Sequence, residues 1–247
     1  MTRAIILAAG RGSRMKEHTE EKPKCLNELD GKTMLDWQLM ALRAAGISSI
    51  TVVSGYRAKM LNGDFFVKRN NRWSETNMVA SLFCMANDEV DSIISYSDIV
   101  YKPEHISKLS KTNGDIVITA DLNWQKLWEL RFDNPLDDAE TFKSKNGILT
   151  EIGSKTDNIS DIEAQYMGLL KFTPKGWNIM HSIYEGFSKE KQDKMDMTSM
   201  LNELLANNVP VHVALIDGGW CEADDWSDIM AYENELNNNN SWIHNWK

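Results

Sequence analysis

The chain has 247 residues, 42% hydrophobic and 26% charged, and its 36 Asp and Glu against 27 Lys and Arg give a formal net charge of −9. That size and balance fit a single domain over residues 1–247, and the acidic balance excludes a general nucleic-acid binder, which needs a net basic face against phosphates. Three scattered cysteines (Cys25, Cys84, Cys221) with no CxxC pair exclude a disulfide framework or zinc site; the apolar start Ala4–Ala9 is too short for a signal peptide, and no stretch approaches the ~20 apolar residues of a membrane span, so a cytoplasmic chain without a membrane partner is expected.

Ala4–Ala8 reads as a strand buried on both faces, followed by a Gly- and charge-rich loop to Lys24. Thr33 with Asp36 three residues on is a capping-box pattern that opens a helix to about Ala45, and Gly46 stops it. Ser49–Ser54 reads as a strand, Thr76–Met85 as a helix, Ser92–Tyr96 as a strand, Pro103–Ser110 as a helix with Pro at its first position, and Asp115–Ala120 as a strand. This alternation predicts an α/β fold with a Rossmann-like, doubly wound, mostly parallel sheet. The rhythm breaks after Asp121. Thr141–Ser144 and Ile148–Ile152 flank Asn146-Gly147, a type I′ hairpin signal, so about 121–170 reads as an insertion whose hairpin covers the active-site edge. Tyr166–Phe172 returns as a strand, Pro174–Phe187 and Thr198–Ala206 as helices, Val209–Ile216 as a strand and Asp224–Leu236 as the closing helix, while Trp242 and Trp246 imply that the polar tail docks.

The chemistry gathers where the first strand ends, in Leu7-Ala8-Ala9-Gly10-Arg11-Gly12-Ser13-Arg14-Met15, with Lys22-Pro23-Lys24 following. Ligands of parallel sheets bind outside the carboxyl ends of the strands, and glycines let backbone N–H groups approach phosphate oxygens. Five basic residues against three acidic ones between Arg11 and Lys24 make this segment an anion site in an acidic chain. GxGxxG fails because Met15 stands at the third glycine, and no GxxxxGK[ST] is present.

LAAGRGSRM followed by KPKCL resembles the signature of the nucleotide-diphosphate-sugar pyrophosphorylase family, of GT-A-type nucleotidyltransferases. The resemblance implies that Leu7, Ala8, Ala9, Gly10, Arg11 and Gly12 bind the nucleotide through their backbone, that Arg14 holds the β- and γ-phosphates, and that Lys24 neutralises charge at the reacting α-phosphate. The family places one metal aspartate in each of two later segments, and Asp98 and Asp224 stand at the matching positions, with Glu222 in reserve. Carboxylates there suit Mg²⁺, although a lone Asp at a strand end or helix start is otherwise a cap.

The ending Trp220-Cys221-Glu222-Ala223-Asp224, with no long β-helix after it, resembles a branch of bacterial cytidylyltransferases similar to the CTP:phosphocholine enzymes. Glu75-Thr76-Asn77-Met78 with Ser81-Leu82 fits that branch, which implies that Asn77 and Ser81 read the base; helix capping and packing are the alternatives. Trp124, Trp128, Arg131, Glu140, Lys155, Tyr166 and Trp220 lie in or near the insertion or the third motif and are the acceptor-side candidates. Aromatic faces with a carboxylate suit a cationic amine, and Arg131 or Lys155 suits an acceptor phosphate, whereas aromatic core is the plainer reading of the tryptophans. Asp138–Thr141, Glu151–Gly153 and Gln165–Leu169 depart from the phosphocholine enzymes toward relatives that include a capsule-pathway phosphoglutamine cytidylyltransferase.

The resulting expectation is an Mg²⁺-dependent cytidylyltransferase. It transfers CMP from CTP to a small phosphorylated amine or amino acid and releases pyrophosphate, activating a precursor for surface polysaccharide. Two rivals stand beside it: a sugar-1-phosphate nucleotidyltransferase using UTP or dTTP, and a non-catalytic nucleotide-binding regulatory module. A homodimer is left open.

Overall fold

The computed structural model describes residues 2–86 and 89–247. In chain order its elements are β1 (Thr2–Ala8), the short hairpin β2 (Glu28–Leu29) and β3 (Lys32–Thr33), α1 (Met34–Ala44), β4 (Ser49–Ser54), β5 (Phe66–Arg69), α2 (Met78–Leu82), β6 (Asp91–Tyr96), β7 (Ile99–Tyr101), α3 (Pro103–Lys111), β8 (Ile116–Asp121), α4 (Trp124–Arg131), β9 (Phe142–Lys145), β10 (Ile148–Ile152), β11 (Gln165–Phe172), α5 (Pro174–Glu185), α6 (Lys189–Lys194), α7 (Met197–Ala206), β12 (His212–Ile216), β13 (Trp220–Glu222) and α8 (Trp226–Asn238). Nine strands form one mixed sheet in the order β5-β4-β1-β6-β11-β8-β12-β10-β9. No helix among the described residues is long and apolar enough to cross a membrane.

The period of two along β1 explains its central place. Ala4, Ile6 and Ala8 enter the core cluster on one face, while Ile5 and Leu7 enter the cluster on the other. Leu35, Leu39 and Leu42 of α1 and Ile106 and Leu109 of α3 fill the first face; Met180 of α5 and Met200, Leu201 and Leu204 of α7 fill the second. The Thr33 hydroxyl accepts the Asp36 N–H at 3.0 Å and donates to the Asp36 carboxylate at 2.6 Å, so the expected cap opens α1.

β4, β1 and β6 run parallel, as the βα alternation requires, but β11 runs antiparallel to both β6 and β8. The cause lies in the insertion. The chain leaves β8 at Asp121 and re-enters the sheet with Gln165 directly opposite Asp121, so it can only travel back down. The Asn146-Gly147 turn has φ of 54° and 74°, as a type I′ hairpin demands. That hairpin, expected to cover the site, instead continues the sheet at its edge. Ile148 pairs with His212, and the Leu149 N–H donates to Val211 O at 2.8 Å, because β12 would otherwise present an unpaired edge.

One glycine is required by the register shift in β11 between Tyr166 and Leu170. Gly168 has φ +73°, and a Cβ there would lie 2.6 Å from the Tyr96 ring. Gly168→Ala is therefore expected to lower unfolding free energy by about 1–3 kcal/mol through left-handed strain and the clash together. Urea unfolding would check this, and an unchanged midpoint would show that the bulge relaxes freely.

Candidate active site

The cleft opens beyond the carboxyl end of β1. Gly12, at φ +71°, crosses over the stem of Lys24, and a Cβ there would lie 2.7 Å from the Lys24 Cβ. Gly10 has no heavy atom within 4 Å of its would-be Cβ, so its backbone faces open space. Gly55 closes the side of the loop: a Cβ would lie 2.6 Å from Ala9 O and 2.3 Å from the Trp73 Cβ, and the next N–H, of Tyr56, donates to Ala9 O at 2.9 Å. Leu7, Ala9, Gly10 and Gly12 form one wall of the cleft, and Trp73, Thr76, Asn77, Met78 and Ser81 form another. Arg14, Lys24, Tyr96, Ser97 and Asp98 complete it. Ala8 lies beneath, buried in β1, and Arg11 turns outward with its guanidinium 5.7 Å from the Tyr56 ring centre.

The charged end is built around Lys24, only 6% exposed. Its ammonium donates to Asp98 at 2.7 Å and to Asp224 at 2.9 Å. Burial alone would pull the Lys24 pKa down, but the two carboxylates outweigh it and hold the pKa above the ordinary lysine value. Burial likewise pushes Asp224 up, and Lys24, Arg14 and Arg131 overcome it, so Asp224 ends below the usual carboxylate range. The Arg14 guanidinium reaches Asp224 at 2.8 and 2.9 Å from a largely exposed position.

The two acids come together through a small ribbon. β13 pairs antiparallel with β7, and the Ala223 N–H donates to Asp98 O at 2.9 Å, locking the two segments side by side. Asp98, Glu222 and Asp224 then offer carboxylate oxygens within 4.8 Å of one another. Asp98 Oδ1 is buried with no hydrogen-bond partner. An all-oxygen donor set around an orphaned acceptor fits a hard divalent cation such as Mg²⁺. Burial, with the Asp224 carboxylate beside it, pushes Glu222 up to about 8.

A family model described as the MobA-like NTP transferase domain matches residues 4–128. A CTP:phosphoglutamine cytidylyltransferase of Campylobacter jejuni subsp. jejuni serotype O:2 is 38% identical over 247 residues, spanning 92% of this chain and 97% of its own. The chain belongs to the MobA-like NTP transferase family. A 2-aminoethylphosphonate cytidylyltransferase of Lancefieldella rimae is 31% identical over 113 residues, 42% of this chain and 46% of its own. The solved CTP:phosphocholine cytidylyltransferase of Streptococcus pneumoniae shares the fold, with a TM-score of 0.70 at 18% identity, covering 95% of this chain and 99% of that one.

In this NTP transferase the acceptor-side candidates separate. Trp124 and Trp128 on α4 and Trp220 on β13 lie in the core rather than on a ligand wall, at 3%, 3% and 0% exposure. Trp124 Nε1 donates to Ile162 O at 3.3 Å and Trp128 Nε1 to Asp138 at 3.0 Å. The Arg131 side chain is fully buried, donating to Asp224 at 3.1 Å and Asp228 at 3.2 Å. A guanidinium so placed braces Asp224, while its Nη1 is buried with no hydrogen-bond partner. Lys155, on the surface, donates to the carbonyls of Asp137 and Asp138 at 3.2 and 2.9 Å. Glu140 is half-buried and raised above the usual carboxylate range by that burial. Tyr166 packs edge-on to Tyr96 at 5.8 Å, with its hydroxyl buried beside that ring, and burial raises its pKa.

The fold also supplies parts that the motifs did not name. Trp73, Tyr96 and Asn70 carry no motif signal, since a lone aromatic or Asn does not announce its place. Asn77 caps α2, accepting the Met78 N–H at 2.7 Å, and Ser81 accepts from Asn70 Nδ2 at 3.0 Å. The tail supports the acid ribbon from behind. Gly219 N–H donates to Ile243 O at 2.8 Å, Cys221 Sγ contacts His244 O at 3.7 Å, and Trp246 packs edge-on to Trp37.

Glu222 contributes a pH dependence of its own to the metal-free protein. Its pKa in the fold, about 8, lies above its unfolded value, so folding binds a proton there. The stability this group contributes is complete below about pH 4.5 and is lost as pH rises through 8. In chelator, Glu222→Gln is expected to unfold at higher urea than the native sequence at pH 9, with the gap closing by pH 5. A gap of the same size at both pH values would contradict this account.

Proposed function

We propose that this NTP transferase moves CMP from CTP to a small phosphorylated amine or amino acid, with a phosphoglutamine-type acceptor as the first candidate, and releases pyrophosphate. The observation that carries the reading is the convergence of Lys24 on Asp98 and Asp224 beside the glycine loop. The resemblance of nearly the whole chain to a phosphoglutamine cytidylyltransferase supports the choice of base and acceptor.

The reaction is an in-line attack by an acceptor phosphate oxygen on the α-phosphorus. That oxygen is already anionic, so no general base is required. Catalysis is then positioning and charge neutralisation. The backbone of Leu7 to Gly12 approaches the nucleotide, Arg14 leaves Asp224 for the β- and γ-phosphates, and Lys24 meets the charge that develops at the α-phosphate. Arg131 keeps Asp224 ionised and aimed. Asp98 and Asp224, with Glu222 beside them, are the residues that would hold Mg²⁺. When bound, that ion neutralises the triphosphate and the departing pyrophosphate. On the acceptor side, Glu140 by its carboxylate and Tyr166 by its ring suit an amine. In a cytoplasmic setting the product is an activated precursor for surface polysaccharide.

Pyrophosphate release tests the reading, with each of four NTPs, Mg²⁺, and L-glutamine phosphate, phosphocholine, 2-aminoethylphosphonate or glucose 1-phosphate as acceptor. Release with CTP and one amine-bearing acceptor is expected, and none once the metal is chelated. Release only with glucose 1-phosphate and UTP or dTTP would replace it with sugar-nucleotide synthesis, and nucleotide binding without release would leave a regulatory module.

A further inference from the structure

The cleft has two chemically different ends. The cationic end, at Arg14 and Lys24, takes phosphates. The other, formed by Trp73, Thr76, Met78 and Ser81, carries no charged side chain and offers an aromatic ring and hydroxyls, which suit a base. Behind this wall lies Asn70, a buried amide at 4% exposure.

The hydrogen bonds around Asn70 fix their own direction. The Arg72 backbone N–H can only donate, and it reaches Asn70 Oδ1 at 2.9 Å. That assigns the amide orientation, leaving Nδ2 on the other side. Nδ2 donates to Thr76 Oγ1 at 2.9 Å and to Ser81 Oγ at 3.0 Å, using both of its hydrogens. Thr76 spends its own hydroxyl hydrogen on Arg72 O at 2.9 Å. Ser81 is therefore an acceptor toward Asn70, and its hydroxyl hydrogen has no acceptor among the described residues. A hydroxyl that is 3% exposed, lines the cleft and has a spare hydrogen donates to whatever fills the cleft.

We propose that Asn70 is a positioning residue for base selection: it holds Ser81 as a hydrogen-bond donor into the cleft, matching the N3 lone pair of cytosine and opposing the N3–H of uracil. The inference rests on the CTP reading above. Polarity is the discriminating property, because the two pyrimidines have nearly the same shape and differ at N3 in donor and acceptor sense.

Asn70→Asp reverses the device. One carboxylate oxygen keeps the Arg72 N–H, and the other can only accept, so Ser81 turns its hydrogen to Asp and shows lone pairs to the cleft. Calorimetric dissociation constants for CTP and UTP, in Mg²⁺ buffer, read the outcome on the full chain. The native protein should prefer CTP, and Asn70→Asp should lower that preference by about 10–100-fold. Ser81→Ala, which removes the donor without reversing it, should lower it by about tenfold. Equal weakening of CTP and UTP in Asn70→Asp, with the ratio unchanged, would make Asn70 a packing residue and overturn the proposal. If circular dichroism shows that Asn70→Asp does not fold, Ser81→Ala decides alone, and an unchanged ratio there overturns it. A native protein that binds UTP as tightly as CTP would bring down the CTP reading itself, before any variant is compared.

Discussion

The structure depends on one buried charge arrangement, the Lys24 ammonium held between the Asp98 and Asp224 carboxylates. A lysine at 6% exposure is tolerated only with such partners, since an ionised group stripped of water is strongly unfavourable. Each partner comes from a different part of the chain: Lys24 from the turn after the glycine loop, Asp98 from the link between β6 and β7, Asp224 from the approach to α8. The ion triad thus closes the fold beside the glycine loop. Lys24 is matched by the protein's own acids, and Arg14 and Arg131 on Asp224 extend the same balance.

The surrounding elements serve this arrangement. The β7/β13 ribbon brings Asp98 and Asp224 to one edge, and the Gln38 side chain of α1 anchors it by donating to Ile99 O at 2.8 Å. The capping box of Asp225 and Asp228 starts α8 immediately after Asp224, and Asp228 also takes Arg131 and the Asp224 N–H. The stacking of His18 on Trp226, with centroids 3.8 Å apart, ties the glycine-loop segment to the same helix. The acidic end of the cleft is held by these contacts, whereas the far end rests on the short helix α2 and the Asn70 amide behind it.

Much of this was legible in the sequence because local signals and tertiary need agree. The buried run Ala4–Ala8, the Thr33 cap and the Asn146-Gly147 turn each carry a short-range reason for their structure, whereas Asp98 and Asp224 stood out only through the family resemblance. The direction of β11 was not legible, since it follows from where the insertion returns to the sheet and not from any feature of Gln165–Phe172. Helix α4 was missed for a related reason: Trp124, Leu127 and Trp128 bury one face, but the segment is too short for its periodicity to stand out. The burial of the tryptophans was not legible because composition does not tell a ligand wall from a core, and Arg131 is drawn inward by three acids, two of them close partners. Asn70 was invisible, because hydrogen-bond direction exists only once the partners have been brought together.

The central claim, that Lys24 and Asp98 act as one unit on the reacting phosphate, is tested most directly by a double-mutant cycle on kcat with Lys24→Ala, Asp98→Asn and the pair. Each single change is expected to lower kcat by roughly 10²–10³, with the pair hardly worse than the more damaging single, because either change already dismantles the unit. Losses that multiply in the double variant would show two independent contributions and contradict the account.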